Sequence, residues 1–232
     1  MASQIIRAQD RYHHETDWLS TYWHFSFDHY HDPKNVSFGP LRVFNDDTVQ
    51  PGTGFPPHSH ADMEIISCVL SGALEHRDSR GNRGVIGAGE VQVMSAGSGI
   101  THAEYNPAPA EPVHFLQIWI LPRRRGGQPR WEQRAFTYAD RAGRLLPVVS
   151  GDGHATLAID QDATMYIAAL DAGQAVKHAM SPGRRAYLFV IDGGVELNDD
   201  GLAAGDQARI SGAADLEVHA TRASELLLID LP

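Results

Sequence analysis

The chain has 232 residues, 42% hydrophobic and 21% charged, the balance of an ordinary globular protein. That length makes one large or two small domains and buries about 70–75% of the unfolded surface, so no covalent staple is needed. The single cysteine excludes an intramolecular disulfide, a four-cysteine zinc site and an iron–sulfur cluster, and the net charge of −10 excludes the basic footprint of a nucleic-acid binder.

The first ten residues lack the apolar core of a signal peptide, and no run reaches the roughly 18 apolar residues of a membrane span. A cytoplasmic protein with no membrane and no direct nucleic-acid partner is expected. Gly (22) and Pro (13) are spread along the chain, which favours short elements joined by turns. Strands are predicted at 41–44, 64–70, 73–77, 83–86, 91–94 and 114–121, each bounded by Gly, Asn, Asp or Pro. Spacing of about 8–12 residues between such runs predicts a β sandwich or barrel.

Residues 122–129 (PRRRGGQP) read as a linker, its Arg123-Arg124-Arg125 run solvated beside Gly126-Gly127. A short helical turn is expected at 129–134. Strands follow at 165–170, 186–191, 195–197 and 226–229. The expected organisation is an N-terminal β domain over 1–122, a linker over 123–134 and a C-terminal β domain over 135–232. Glycines at 72 and 89 in the first half and at 193–194 and 205 in the second hint at one architecture used twice.

The chemistry concentrates between Gly52 and Asn106. His58-Ser59-His60, Glu64 and His102-Ala103-Glu104 lie there. Residues i and i+2 of a strand share a face, so His58 and His60 aim together, as do His102 and Glu104. If the two strands meet, three imidazoles and one carboxylate converge. Three nitrogens and an oxygen with open positions suit Fe(II), Mn, Co, Ni, Cu or Zn, and the donor set alone does not choose among them.

The spacing Gly52-x5-His58-x-His60-x3-Glu64-x7-Gly72, followed by Gly89, Gly97-x-Gly99 and His102-x3-Asn106, resembles the two motifs of the cupin superfamily. HSHADMEI (58–65), QVMSAGSGITHAEYNP (92–107), WHFSF (23–27), HDP (31–33) and LRVFNDD (41–47) look like a bacterial pirin-like protein, with similar segments reaching the C-terminus. The resemblance implies an all-β bicupin: two stacked antiparallel β-barrels of jelly-roll type joined by a short linker, with one divalent metal in the N-terminal barrel. It implies His58, His60, His102 and Glu104 as ligands, Fe(II) as the favoured ion, and Glu104 as the group that takes a substrate proton. In ordinary cupins the carboxylate ligand stands at the position of Glu64; here the resemblance leaves Glu64 to orient a ligand imidazole from behind. The implied activity is that of a quercetin 2,3-dioxygenase, in which a flavonol and dioxygen give carbon monoxide and a depside. The alternative is a non-enzymatic metal- or redox-sensing regulator that binds a partner protein. Two barrels in one chain point to a monomer.

Counting back from Gly193 as from Gly72 puts Ala179, Ser181 and Arg185 at the ligand positions, so no metal is expected in the C-terminal half; His178 and His219 read as structural. His29 and His31 read as exposed, His24 as core, and His76 and His114 as walls of the barrel. Ile66, Leu70, Val91 and Val93 are expected to shape a dry pocket, with Cys68 near the metal.

Overall fold

The computed structural model describes residues 2–153, 155, 157–212 and 215–232. β1 (Ala2–Ile6) leads into β2 (Tyr12–Glu15), β3 (Leu19–Trp23), β4 (Leu41–Val49), β5 (Gly54–His60) and β6 (Glu64–Ser71). β7 (Ala73–Asp78), β8 (Arg83–Gly87), β9 (Glu90–Ser95), β10 (Ile100–Tyr105), β11 (Val113–Ile120) and β12 (Arg130–Ala135) follow. Beyond α1 (Tyr138–Arg141) come β13 (Leu146–Ser150), β14 (Leu157–Ala158), β15 (Thr164–Leu170), β16 (Ala175–His178) and β17 (Arg185–Asp192). The chain closes with β18 (Gly194–Leu197), β19 (Asp200–Ala203), β20 (Gln207–Ser211), β21 (Leu216–Ala220) and β22 (Ser224–Leu231).

Two compact units result. One comprises Tyr12–Phe136 and Leu157–Gln161; the other comprises Met1–Arg11, Thr137–Thr156 and Asp162–Pro232. The former has a seven-stranded sheet, β12-β9-β6-β11-β4-β3-β2, and a four-stranded sheet, β5-β10-β7-β8. Leu19, Val49 and Phe115 of the large sheet pack with Leu74 and Ile86 of the small one. A second cluster, Ile65, Met94, Ala96 and Ile100, also draws on both sheets. Along β6 and β11 these clusters are separated by single polar residues. Ser67 stands between Ile65 and Val69, and Gln117 between Phe115 and Trp119. The interior of this unit is thus two apolar layers with a polar one between them.

The other unit repeats the plan with a different filling. Strands β17, β20, β22 and β15 and strands β16, β21, β18 and β19 enclose a mainly aliphatic centre, with Leu188, Leu197, Leu202, Ile210, Val218 and Leu228 among its side chains. Burial of each such side chain contributes about 1.5–3 kcal/mol.

The all-β bicupin expectation holds, with corrections. Each unit is a pair of facing sheets and is not closed into a barrel. Residues 130–134, expected to be linker with a helical turn, lie in strand β12, whose register runs from Arg130 opposite Ser95 to Ala135 opposite Glu90. The first eleven residues, assigned from sequence to the first domain, go with the second unit. β1 pairs antiparallel with β20, from Ala2 opposite Ser211 to Ile6 opposite Gln207. Arg7 and the backbone N–H of Ala8 both donate to the Asp206 carboxylate at 2.8 Å and fasten the strand's end. Between β6 and β7 the chain turns at Gly72, where φ is +75° and an added Cβ would lie 2.6 Å from the Pro112 carbonyl oxygen.

Candidate metal centre

β5 and β10 run antiparallel with His58 directly opposite His102. The register then slips: Glu104 faces Phe55, so β5 spends one residue more than β10 over this stretch. Pro56 and Pro57 fill the slip, and neither has an N–H to give to a ladder. The bulge lets the carbonyl of Pro56 accept the Nδ1–H of His58 at 2.8 Å. That bond leaves Nε2 of His58 as the lone-pair nitrogen.

Three imidazoles converge. The rings of His58, His60 and His102 have centroids 4.5–5.0 Å apart. One ring nitrogen from each lies within 4.8 Å of the others. Nε2 of His60 and Nε2 of His102 are buried without a hydrogen-bond partner. Burial and the neighbouring imidazoles lower the His60 pKa to about 4 and the His102 pKa to about 3. Both rings are therefore neutral at pH 7 and present unpaired lone pairs, which is what a divalent transition metal requires.

Glu104 lies next to His102 but groups with a different set, His76 and His102. Its carboxylate is buried and clamped. Oε1 accepts from Ser67 Oγ at 3.2 Å and Gln92 Nε2 at 3.1 Å, and Oε2 accepts from Gln117 Nε2 at 2.8 Å. Gln92 is itself held by the Trp131 indole N–H at 2.6 Å. A carboxylate has about four acceptor sites, so these donors fix its direction and leave room for one more partner.

Glu64 lies elsewhere. Its carboxylate accepts from Ser95 Oγ at 2.5 Å, faces Arg130 at 3.9 Å and lines a separate cavity with Asp160. Burial raises its pKa, against the pull of Ser95 and Arg130. The imidazole-orienting position expected of Glu64 is held instead by His76 and Asp78, which sequence reasoning missed. His76 is fully buried, with Nδ1 at 3.4 Å from His102 Nδ1 and Nε2 at 3.3 Å from Asp78 Oδ2. The predicted strand at 73–77 stops one residue short of Asp78, which reads in sequence as a turn residue, whereas the observed strand includes it and puts 76 and 78 on one face.

The three histidines open onto a cavity of about 610 Å³. Its apolar wall comprises Trp18, Trp23, Phe27, Phe55, Ile65 and Trp119. The expected set Ile66, Leu70, Val91 and Val93 has no part in that wall, because the faces of β6 and β9 are reversed from the expectation. Ser67 and Gln92 touch Glu104, so Ile66, Cys68, Val91 and Val93 project to the opposite side. Four other histidines fall as read: His24 is buried and stacked on Phe44, His29 and His31 are exposed, and His114 pairs with Asp46 at 2.6 Å.

Comparison with known proteins agrees with this architecture. The family model described as Pirin matches residues 5–120, and that described as Quercetinase C-terminal cupin domain matches 147–231. The chain is 46% identical over 215 residues to a pirin-like protein of Caulobacter vibrioides, covering 92% of each. It is 42% identical over 234 residues to the quercetin 2,3-dioxygenase of Escherichia coli K12, covering 98% of each. The crystal structure of a bacterial pirin from Escherichia coli in complex with nickel(II) superposes with a TM-score of 0.95 at 40% identity, covering 100% of this chain and 99% of that one. With a bicupin fold, a histidine cluster in the N-terminal unit and relatives of this similarity along its whole length, the chain belongs to the pirin family.

Proposed function

We propose that the chain is a metal-dependent dioxygenase that opens the ring of a flavonol such as quercetin, releasing carbon monoxide and a depside. The observation that carries the reading is a three-histidine cluster at the wall of an aromatic cavity of about 610 Å³. A metal-sensing regulator needs only a closed site beside a docking face. A roomy apolar chamber reaching the histidines suits a planar aromatic substrate.

In this reading His58, His60, His102 and Glu104 hold the metal. Bound there, a divalent transition metal, Fe(II) in our reading, supplies Lewis acidity that lowers the pKa of the flavonol 3-hydroxyl. Glu104 takes that proton on the carboxylate oxygen it frees by loosening as a ligand, held in place by Gln92 and Gln117. Trp23, Phe27 and Trp119 flank the planar rings and exclude water, so the electron-rich flavonolate meets dioxygen in a dry chamber.

The test follows aerobic loss of quercetin absorbance with metal-stripped protein reloaded with Fe(II), Mn, Co, Ni, Cu(II) or Zn. Turnover that depends on metal and disappears in His102→Ala, with the variant still folded, supports the reading. No turnover with any metal, in protein holding one equivalent, refutes it and moves the weight to the sensor.

A further inference from the structure

The cavity wall opposite the imidazole strands carries two polar side chains that the chemistry above does not use. Asn45 and Asp47 stand two apart on β4, so they share a face, and both line the cavity. They are 4% and 3% exposed. The Oδ1 of Asn45 is sealed from solvent and has no hydrogen-bond partner among the described residues. In the ladder Asn45 lies opposite Gln117, the residue that donates to Glu104. A buried amide oxygen left unpaired is costly, and the cost is recovered only when a donor arrives.

We infer that Asn45 and Asp47 form a hydroxyl-reading pair that selects a neutral polyhydroxylated aromatic ligand and fixes its orientation in the cavity. The inference rests on the flavonol reading and adds to it the choice among flavonols. The charged side chains lining the cavity argue for neutrality of the ligand: Asp28, Asp47 and Glu104 are acidic, and no Lys or Arg among the described residues lines it. An anionic ligand meets like charge there, whereas a phenolic O–H supplies the donor that Asn45 lacks. Burial, opposed by Thr21 and helped by the charges of Asp46 and Glu104, raises the Asp47 pKa to about 7. Its carboxyl can therefore both give and take a hydrogen bond near neutral pH.

The experiment compares quercetin with 3-hydroxyflavone, which keeps only the 3-hydroxyl. Binding is read by tryptophan fluorescence quenching under argon with Fe(II)-loaded protein, so no turnover intervenes. Wild-type protein is expected to prefer quercetin by about tenfold or more. Asn45→Leu and Asp47→Leu are each expected to reduce that preference to about twofold by weakening quercetin alone, with 3-hydroxyflavone affinity and metal content unchanged. Asn45→Ser, which is smaller, makes the same comparison should the leucine variant fail to fold. Wild type that binds both flavonols, with variants that keep the preference, overturns the inference and leaves the dioxygenase reading standing. Wild type that binds neither flavonol overturns both.

Discussion

The Nδ1 atoms of His76 and His102 face each other at 3.4 Å, and the far nitrogen of His76 faces Asp78 at 3.3 Å. The chemistry of the three groups orders the protons. A carboxylate only accepts, so His76 donates Nε2–H to Asp78 and is left with an acceptor at Nδ1. His102 then donates its own Nδ1–H, and its Nε2 becomes the bare nitrogen at the centre of the cluster. His76 also stacks on Trp131 at 5.4 Å and 16°, which fixes the plane of its ring.

Breaking that chain of bonds should cost metal rather than fold. His76→Phe keeps an aromatic ring against Trp131 and removes the acceptor; Asp78→Asn removes the charge. Each is expected to lower metal affinity by about 10- to 100-fold, measured by competition with a chelator. Affinities equal to wild type in both would show that the orientation of His102 does not depend on them.

Asp47 should make stability depend on pH in an unusual direction. Its folded pKa of about 7 lies above the ordinary 3.8. Between those values the folded state holds a proton that the unfolded state has released, so its contribution to stability falls as pH rises from about 4 to about 7. Above 7 the full penalty applies, at most about 4 kcal/mol. Asp47→Asn is therefore expected to melt higher than wild type at pH 8 and at the same temperature near pH 3.5. A variant that melts lower at pH 8 would contradict the assignment.

Gly54 lies where β5 leaves no room for a side chain against β10, the strand that carries Glu104. A Cβ there would lie 2.2 Å from the backbone oxygen of Glu104 and 2.6 Å from the Cα of Tyr105. These are backbone atoms and cannot swing aside. Gly54→Ala is expected to push β10 away from β5, destabilise the unit by about 1–3 kcal/mol and loosen the histidine cluster. Thermal melting together with metal content checks this, and a variant indistinguishable from wild type in both would refute the close contact.

Local pattern carried much of the fold and of the site. His58 and His60, and His102 and Glu104, share faces because strand geometry alternates every residue, and no tertiary information is needed to see it. The face of β6 was not legible, because six consecutive residues from Glu64 to Val69 are all buried. A strand covered on both sides has no polar alternation to mark its inner face, and an error of one position turns every side chain over. Glu64 suggested an inward carboxylate, while the inward polar residue is Ser67. The partners of Glu104 come from β6, β9 and β11, at separations set by the sheet order and invisible to spacing rules. Residues 130–134 read as linker because an edge strand needs little apolar content, and what recruits Trp131 is Gln92, 39 residues earlier in the chain.

The pairing of β1 with β20 bears on how this chain withstands cleavage. Residues 123–128 form an exposed Arg- and Gly-rich connection, a natural place for a protease to cut. Such a cut would not release two halves. The fragment carrying the histidines also carries a strand that is hydrogen-bonded into the sheet of the other fragment, and Arg7 and Ala8 fasten it there through Asp206. Synthesis follows the same logic in reverse. β1 leaves the ribosome long before β20 does, and β20 has a bare edge until β1 reaches it.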